Sequence, residues 1–312
     1  MSSEFQNTIN TLIARENLPP GYKTTVATTI VPLVEAIVAL QKQKGRPVVI
    51  GIHGAQGTGK STLALFLANL LKWHWLCPAV SLSLDDLYLT RAEREHLART
   101  VHPLLKTRGV PGTHDLALGN RVLDQLLAAK PGDITALPSF DKATDDRVPE
   151  EDWPVFEGPA KVILLEGWCL GATPQREAAL SNPVNSLEAE EDEQGEWRGY
   201  VNHCLQTDYH EFFARLDRLV MLQAPSMRCV LQWRRLQEQK LAQRYAGGQN
   251  GGGAEAGAPG LRIMSDNEVQ RFVMHYQRIT EHCLRELPAR ADVLIPVGED
   301  HIMETPVWNT HN

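Results

Sequence analysis

The sequence is poor in cysteine and in surplus positive charge. Five cysteines stand among 312 residues, at positions 77, 169, 204, 229 and 283. An odd number without C-x-x-C spacing indicates neither a disulfide framework nor a zinc site, and predicts buried free thiols. Lys and Arg number 31 against 38 Asp and Glu, a formal net charge of −7 with the basic residues scattered. That balance argues against a broad nucleic-acid-binding surface. No apolar stretch approaches the length of a bilayer span, and Met1 to Asn10 lacks a basic segment followed by an apolar one. The expectation is a cytosolic protein with neither a membrane nor a nucleic-acid partner. The chain also lacks internal repeats.

With 43% hydrophobic residues the chain can bury a full core. Its length alone suggests two domains, yet an α/β sheet protein with a helical lid fills that length as one. The organisation expected is a single domain over 1–312, with an N-terminal helical segment at 1–45 and a lid and flexible loop at 225–260. Ile30, Leu33, Val34, Ile37, Val38 and Leu40 recur at helical spacing, predicting a leading helix over 26–43 that packs on a sheet. Short apolar runs follow at 48–52, 79–84, 162–165, 219–222 and 293–297. Separated by helical patterns, they predict a five-stranded, mainly parallel sheet covered on both faces. The acid-rich stretch 186–196 reads as a solvated loop, and the Gly- and Ala-rich stretch 246–260 as a flexible segment.

The densest signal is Gly54, Ala55, Gln56, Gly57, Thr58, Gly59, Lys60 and Ser61, which follows the first apolar run and precedes Thr62 and a helical pattern. G-x-x-x-x-G-K-[ST] between a strand and a helix is a phosphate-binding loop: glycines let the backbone wrap the anion, and helix N-terminal amides point at it. In that role Lys60 reaches the β and γ phosphates and the Ser61 hydroxyl ligates Mg²⁺. The second run ends in Asp85 and Asp86, the third in Glu166, which places three acids at the carboxyl edge of the sheet, where open α/β folds bind ligands. Asp85 or Asp86 could orient an acceptor hydroxyl beside the γ-phosphate; alternatively the pair caps the helix that begins near Thr90. The run 162–165 followed by Glu166 has the form of a strand whose carboxylate holds Mg²⁺.

Two loop-like segments between these runs carry Arg108 and His114, and Lys142 and Arg147. Three cations there suit an anionic substrate or, equally, surface ion pairs. His114 reads as a hydrogen-bonding loop residue, since no second His or Cys stands at ligand spacing. The segment 225–245 bears Arg228, Trp233, Arg234, Arg235, Lys240 and Arg244 on a predicted helix. It is either a lid that brings an arginine to the phosphoryl group or an exposed basic face.

Taken together, the phosphate loop, Leu84-Asp85-Asp86-Leu87-Tyr88-Leu89-Thr90, Arg108-Gly109-Val110-Pro111-Gly112-Thr113-His114-Asp115, Pro138-Ser139-Phe140-Asp141-Lys142, Leu165-Glu166-Gly167-Trp168 and Trp233-Arg234 resemble the plant-type D-glycerate 3-kinase family. That family lies within the phosphoribulokinase, uridine kinase and pantothenate kinase group of P-loop kinases, and the resemblance covers most of 45–245. It implies ATP-dependent phosphorylation of the 3-hydroxyl of D-glycerate. It carries the base role to Asp85, with Leu87 where Phe is frequent, and makes Lys60, Asp85, Glu166 and Arg234 the catalytic candidates. Residues 54–62 would bind the nucleotide, Ser61 and Glu166 the metal, and Asp86, Tyr88, Arg108, His114, Lys142 and Arg147 the acceptor. The alternatives are a kinase for another metabolite, such as pantothenate or a nucleoside, and a nucleotide-binding regulator or ATPase.

Lys60→Ala tests the phosphate loop directly. Turnover should fall by roughly two orders of magnitude or more with melting unchanged, since the lost charge faces the ligand and not the core. Near-normal activity in a normally folded variant would remove the assignment.

Overall fold

Five buried apolar runs can share one sheet only if helices cover both of its faces. The computed structural model, which describes residues 3–248 and 264–309, shows this arrangement. The runs become parallel strands β1 (Val48–Gly54), β2 (Ala79–Ser83), β3 (Val162–Gly167), β4 (Arg218–Gln223) and β5 (Val293–Pro296). A two-residue strand β6 (Val307–Trp308) adds antiparallel to β5, so the edge carries one short strand beyond the five expected. The order is β6-β5-β4-β1-β3-β2. Strands β3 and β4 therefore leave β1 on opposite sides, and the crevice of a doubly wound sheet opens at such a reversal.

Side chains alternate across the sheet as a period of two requires. Val48, Ile50 and Ile52 of β1, with Val162 and Leu164 of β3, pack on one face beneath Ile30, Leu33, Leu63 and Phe66. Val49, Ile163 and Leu165 join Leu123, Trp168 and Tyr276 on the other. Gly51 belongs to the second face, where a Cβ would come within 2.7 Å of Leu216. All five cysteines are free and buried.

The leading helix starts earlier than its periodicity predicts. It runs from Tyr22 to Lys44, with a π-helical turn at Val26–Ile30, and ends on Gly45 in a left-handed conformation that a side chain would disfavour. Contrary to the expectation from the sequence, it is long and apolar enough to cross a membrane by length and composition. Half of its most apolar window is buried in the fold. The helix Met227–Gly248 follows β4, and beyond Gly248 the glycine-rich run falls outside the described residues.

The acidic stretch 186–196 departs from the expected solvated loop. It forms the helix Ser186–Glu191 and the start of Glu196–Gln206, and two of its acids are buried. Glu188 receives the Arg278 guanidinium through two bonds of 2.8 and 2.6 Å. Asp192 accepts from the Trp197 and Arg198 amides and from the Arg198 guanidinium at 2.8, 3.1 and 2.9 Å. Composition alone could not show this, because Arg278 stands 90 residues from Glu188.

Removing one side of a buried pair leaves the other charge unpaired. Arg278→Met should therefore lower stability by about 3–5 kcal/mol, read as a fall in the urea midpoint at constant slope. A loss under about 1 kcal/mol would show that Glu188 is solvated in the native state.

Candidate active site

The phosphate loop is shaped by its own short contacts. Thr58 closes a turn on Ala55, its amide and hydroxyl donating to the Ala55 carbonyl at 3.2 and 2.8 Å. Gly57 and Gly59 take φ of 84° and 90°, in the left-handed region. Gly59 precedes the helix Lys60–His74 and supplies no side-chain cap, leaving first-turn amides to a ligand. Ala55 and Thr58 are buried, and Gln56 is half-buried.

The loop is also held from above. A Cβ on Gly57 would meet the Trp233 Cβ at 2.7 Å, so the helix Met227–Gly248 rests on loop backbone. Trp233 donates its Nε1–H to the Glu299 carbonyl at 3.1 Å and stacks on His301 with ring centroids 4.6 Å apart. His301 Nδ1 lies 3.0 Å from the Gly57 carbonyl. A groove of about 450 Å³ leads off the loop between Tyr22, Thr62, Trp233, Gln237, His301 and Met303. His301 and Tyr22 carry no sequence signature, because their place beside the loop depends on chain crossings far from it.

Glu166 is in register with Ile52 of β1 and Ser83 of β2. Its Oε1 accepts from the Ser61 hydroxyl at 2.9 Å and the Ser83 hydroxyl at 3.0 Å. Its Oε2 lies 3.9 Å from Lys60 Nζ and is buried without a hydrogen-bond partner. Ser83 is a participant that the sequence reading passed over. His53 lies buried behind the loop, its ring pushed down to about 4 by burial and its Nδ1 2.9 Å from the Leu170 carbonyl.

Asp85 and Asp86 share a 3₁₀ turn (Leu84–Leu87) and diverge in environment. Asp85 accepts from the Tyr88 hydroxyl and from Lys142 Nζ, each at 2.7 Å. Burial raises its carboxyl, but the charges of Lys142 and Lys60 and these hydrogen bonds outweigh it and hold the group below the usual carboxylate range. Asp86 accepts from the Phe140 amide at 3.2 Å and borders an apolar pocket with Leu82, Leu123 and Phe212. Burial pushes it up to about 6, the Phe140 bond opposing. Asp86 thus anchors the loop at Phe140, and of the two acids Asp85 stands within electrostatic reach of Lys60. Neither caps the following helix, whose cap is Thr90 in a reciprocal pair with Glu93.

The remaining predicted residues gather unevenly. Tyr88 packs between His114 and Phe140, with ring centroids 4.9 and 5.1 Å away. His114 is buried and pushed down to about 4 by burial; its Nδ1 meets the Tyr209 hydroxyl at 2.5 Å and its Nε2 has no partner. Arg108 lies over the Phe140 ring at 5.5 Å and pairs with Asp145. Arg234 lies over Phe272 and pairs with Glu238 at 2.5 Å, and its charge acts on Tyr276 together with those of Asp85 and Arg108. Arg147 is directed elsewhere: it donates to the Tyr88 carbonyl at 2.9 Å, pairs with Asp115 at 3.3 Å and lines a separate groove with Arg121 and Trp153. Its cation clasps the loop and does not face Asp85.

A phosphate loop on β1, an acid on β3 and a second acid at the end of β2 define an ATP-dependent P-loop kinase acting on an alcohol group. Comparison with known proteins agrees. No family model matches the chain. It is 35% identical over 248 residues to the uncharacterized kinase mug58 of Schizosaccharomyces pombe, across 75% of this chain and 80% of that one. It is 34% identical over 238 residues to the chloroplastic D-glycerate 3-kinase of Arabidopsis thaliana, across 74% of this chain and 46% of that longer protein. The solved D-glycerate 3-kinase of Cryptococcus neoformans shares the fold, with TM-score 0.72 at 22% identity over 90% of this chain and 99% of that one. The chain belongs to the family of P-loop kinases that includes mug58, and it is similar to D-glycerate 3-kinase.

Because the Gly57 backbone touches Trp233 and has positive φ, Gly57→Ala should displace the loop. ATP affinity should drop by about tenfold or more, equivalent to about 1.4 kcal/mol, in an isothermal titration. Unchanged affinity would show that the contact with Trp233 gives way freely.

Proposed function

We propose that the enzyme transfers the γ-phosphoryl group of ATP to the 3-hydroxyl of D-glycerate, yielding 3-phosphoglycerate and ADP. The observation that carries this reading is Asp85: a half-buried carboxylate within electrostatic reach of the loop lysine and bonded to Lys142, with Arg108 close by. A small hydroxy acid offers one hydroxyl for the carboxylate and one charged group for the cations. A nucleoside would require open aromatic faces, whereas Tyr88, Phe140 and His114 are packed on one another. The D-glycerate 3-kinase relatives support the same acceptor. The enzyme is proposed to act as a single domain in the cytoplasm, its long apolar helix half-buried in the core.

In this reading the loop amides and Lys60 hold the β and γ phosphates, and the nucleoside lies in the groove beside Tyr22 and His301. The donor set also suits Mg²⁺: a hydroxyl, Ser61, beside a carboxylate with one buried oxygen left unpaired. Ser61 and Glu166 would hold the ion, which when bound offsets negative charge on the phosphate oxygens. Asp85 accepts the proton of the acceptor hydroxyl as its oxygen bonds to phosphorus and the bond to the ADP oxygen breaks. Tyr88 fixes the Asp85 carboxylate, and Asp86 positions the segment bearing Lys142 through Phe140. Neutral His114 contributes polarity without charge to the acceptor side, and Arg234 stands ready to meet the transferring group. Arg147 supports this site from behind Tyr88.

The two aspartates are separable by experiment. Asp85→Asn should cut kcat by about a hundredfold or more with ATP affinity retained, because the amide cannot take the proton. Asp86→Asn keeps an acceptor for the Phe140 amide and should cost little activity. A carboxyl raised by burial stabilises the fold while protonated and loses that contribution as pH climbs from about 4 through about 6. Asp86→Asn should therefore melt no lower than wild type at pH 8. The larger kinetic loss at Asp86 would exchange the two roles.

A further inference from the structure

For a group that must receive a proton, Asp85 is heavily engaged. Oδ1 accepts from Tyr88 and Oδ2 from Lys142. The two partners differ in freedom. Tyr88 is 4% exposed and held in the packed ring cluster, whereas the Lys142 side chain is 59% exposed. The turn that carries Lys142 is itself well anchored. Strand residues Phe140 and Asp141 pair with Asp146 and Arg147, Asp86 holds the Phe140 amide, and the buried Arg94 donates to the Asp145 carbonyl at 2.6 Å. Lys142 is thus an exposed cation on an anchored turn, resting on the acid. Arg108 is in a different position, committed to Asp145 and to the Phe140 ring.

We propose that Lys142 gates the reaction by acceptor charge: it occupies Asp85 until a carboxylate on the acceptor draws the ammonium group away, and the freed Asp85 then takes the hydroxyl proton. The inference rests on Asp85 being the proton acceptor. The exchange replaces one carboxylate partner of Lys142 by another, so the ammonium keeps a charged partner throughout. Its consequence is large because a carboxylate paired to an ammonium is a weaker base. Proton, oxygen and leaving group then move as in the transfer step above, with ADP departing on its own oxygen. Such gating places acceptor discrimination in turnover. A neutral polyol that fills the same space leaves Lys142 on Asp85, and saturation does not compensate.

The test compares wild type, Lys142→Met and Lys142→Arg with D-glycerate, with glycerol, and with ATP alone. In Lys142→Met, saturated turnover of glycerol and acceptor-free ATP hydrolysis should each rise about tenfold, part of the roughly 10²–10⁴-fold that a fully freed general base contributes. KM for D-glycerate should rise, and the kcat ratio of glycerate to glycerol should shrink. Lys142→Arg should restore the wild-type ratio. If Lys142→Met instead lowers turnover of both acceptors in parallel, or leaves glycerol turnover and ATP hydrolysis unchanged, Lys142 only grips substrate and the gate is refuted. Should wild type fail to phosphorylate D-glycerate, the acceptor assignment falls separately. The gate would then stand if hydrolysis rises in Lys142→Met and returns to the wild-type level or below in the double variant with Asp85→Asn, and fall if it does not.

Discussion

Two segments remote in sequence meet on the carboxylate of Glu166: the start of the helix after the phosphate loop, with Ser61 on one oxygen and Lys60 facing the other, and the end of β2, with Ser83. A buried carboxylate must be satisfied by donors or by positive charge. One oxygen has both hydroxyls and the other has Lys60 at 3.9 Å with no hydrogen bond. The acid therefore ties the phosphate loop to the strand edge that presents Asp85, and it keeps one buried oxygen without a hydrogen bond beside Lys60. The register of β3 between β1 and β2 makes this possible, since it brings Glu166 level with Ile52 and Ser83.

The acceptor side depends on a second tie. Asp86 holds the Phe140 amide, and the short ladder from Phe140 to Arg147 places Lys142 over Asp85. Arg94, which is 1% exposed, braces the same turn through carbonyls of Leu89, Lys106 and Asp145. A fully buried guanidinium is tolerated because its donors meet carbonyl oxygens in addition to the Asp145 carboxylate. Two adjacent aspartates thus divide the work: one faces the chemistry, the other builds the platform.

Much of the site is legible along the chain because its parts are local. The phosphate loop is a contiguous strand-loop-helix unit, and an acid directly after an apolar run must emerge at the strand end. The residues that escaped reading are those whose role arises from crossings. His301 comes from the last loop to meet Trp233 over Gly57. Tyr209 reaches His114 across 95 residues. The acidic stretch has the composition of a solvated loop, yet Glu188 and Asp192 are buried by arginines that folding brings to them.

The sequence by itself determined the parallel α/β class, the phosphate-binding loop, the acids at the strand ends and the buried free thiols. Each of these follows from periodicity or from a motif shorter than one strand-turn-helix unit. Tertiary structure alone decided which aspartate faces Lys60, that Lys142 rests on it, and that Arg147 turns to Asp115 and the Tyr88 carbonyl. Charges of the same type in the same loops are equivalent on paper. They become different residues only when strand register, burial and the nearest opposite charge assign each its partner.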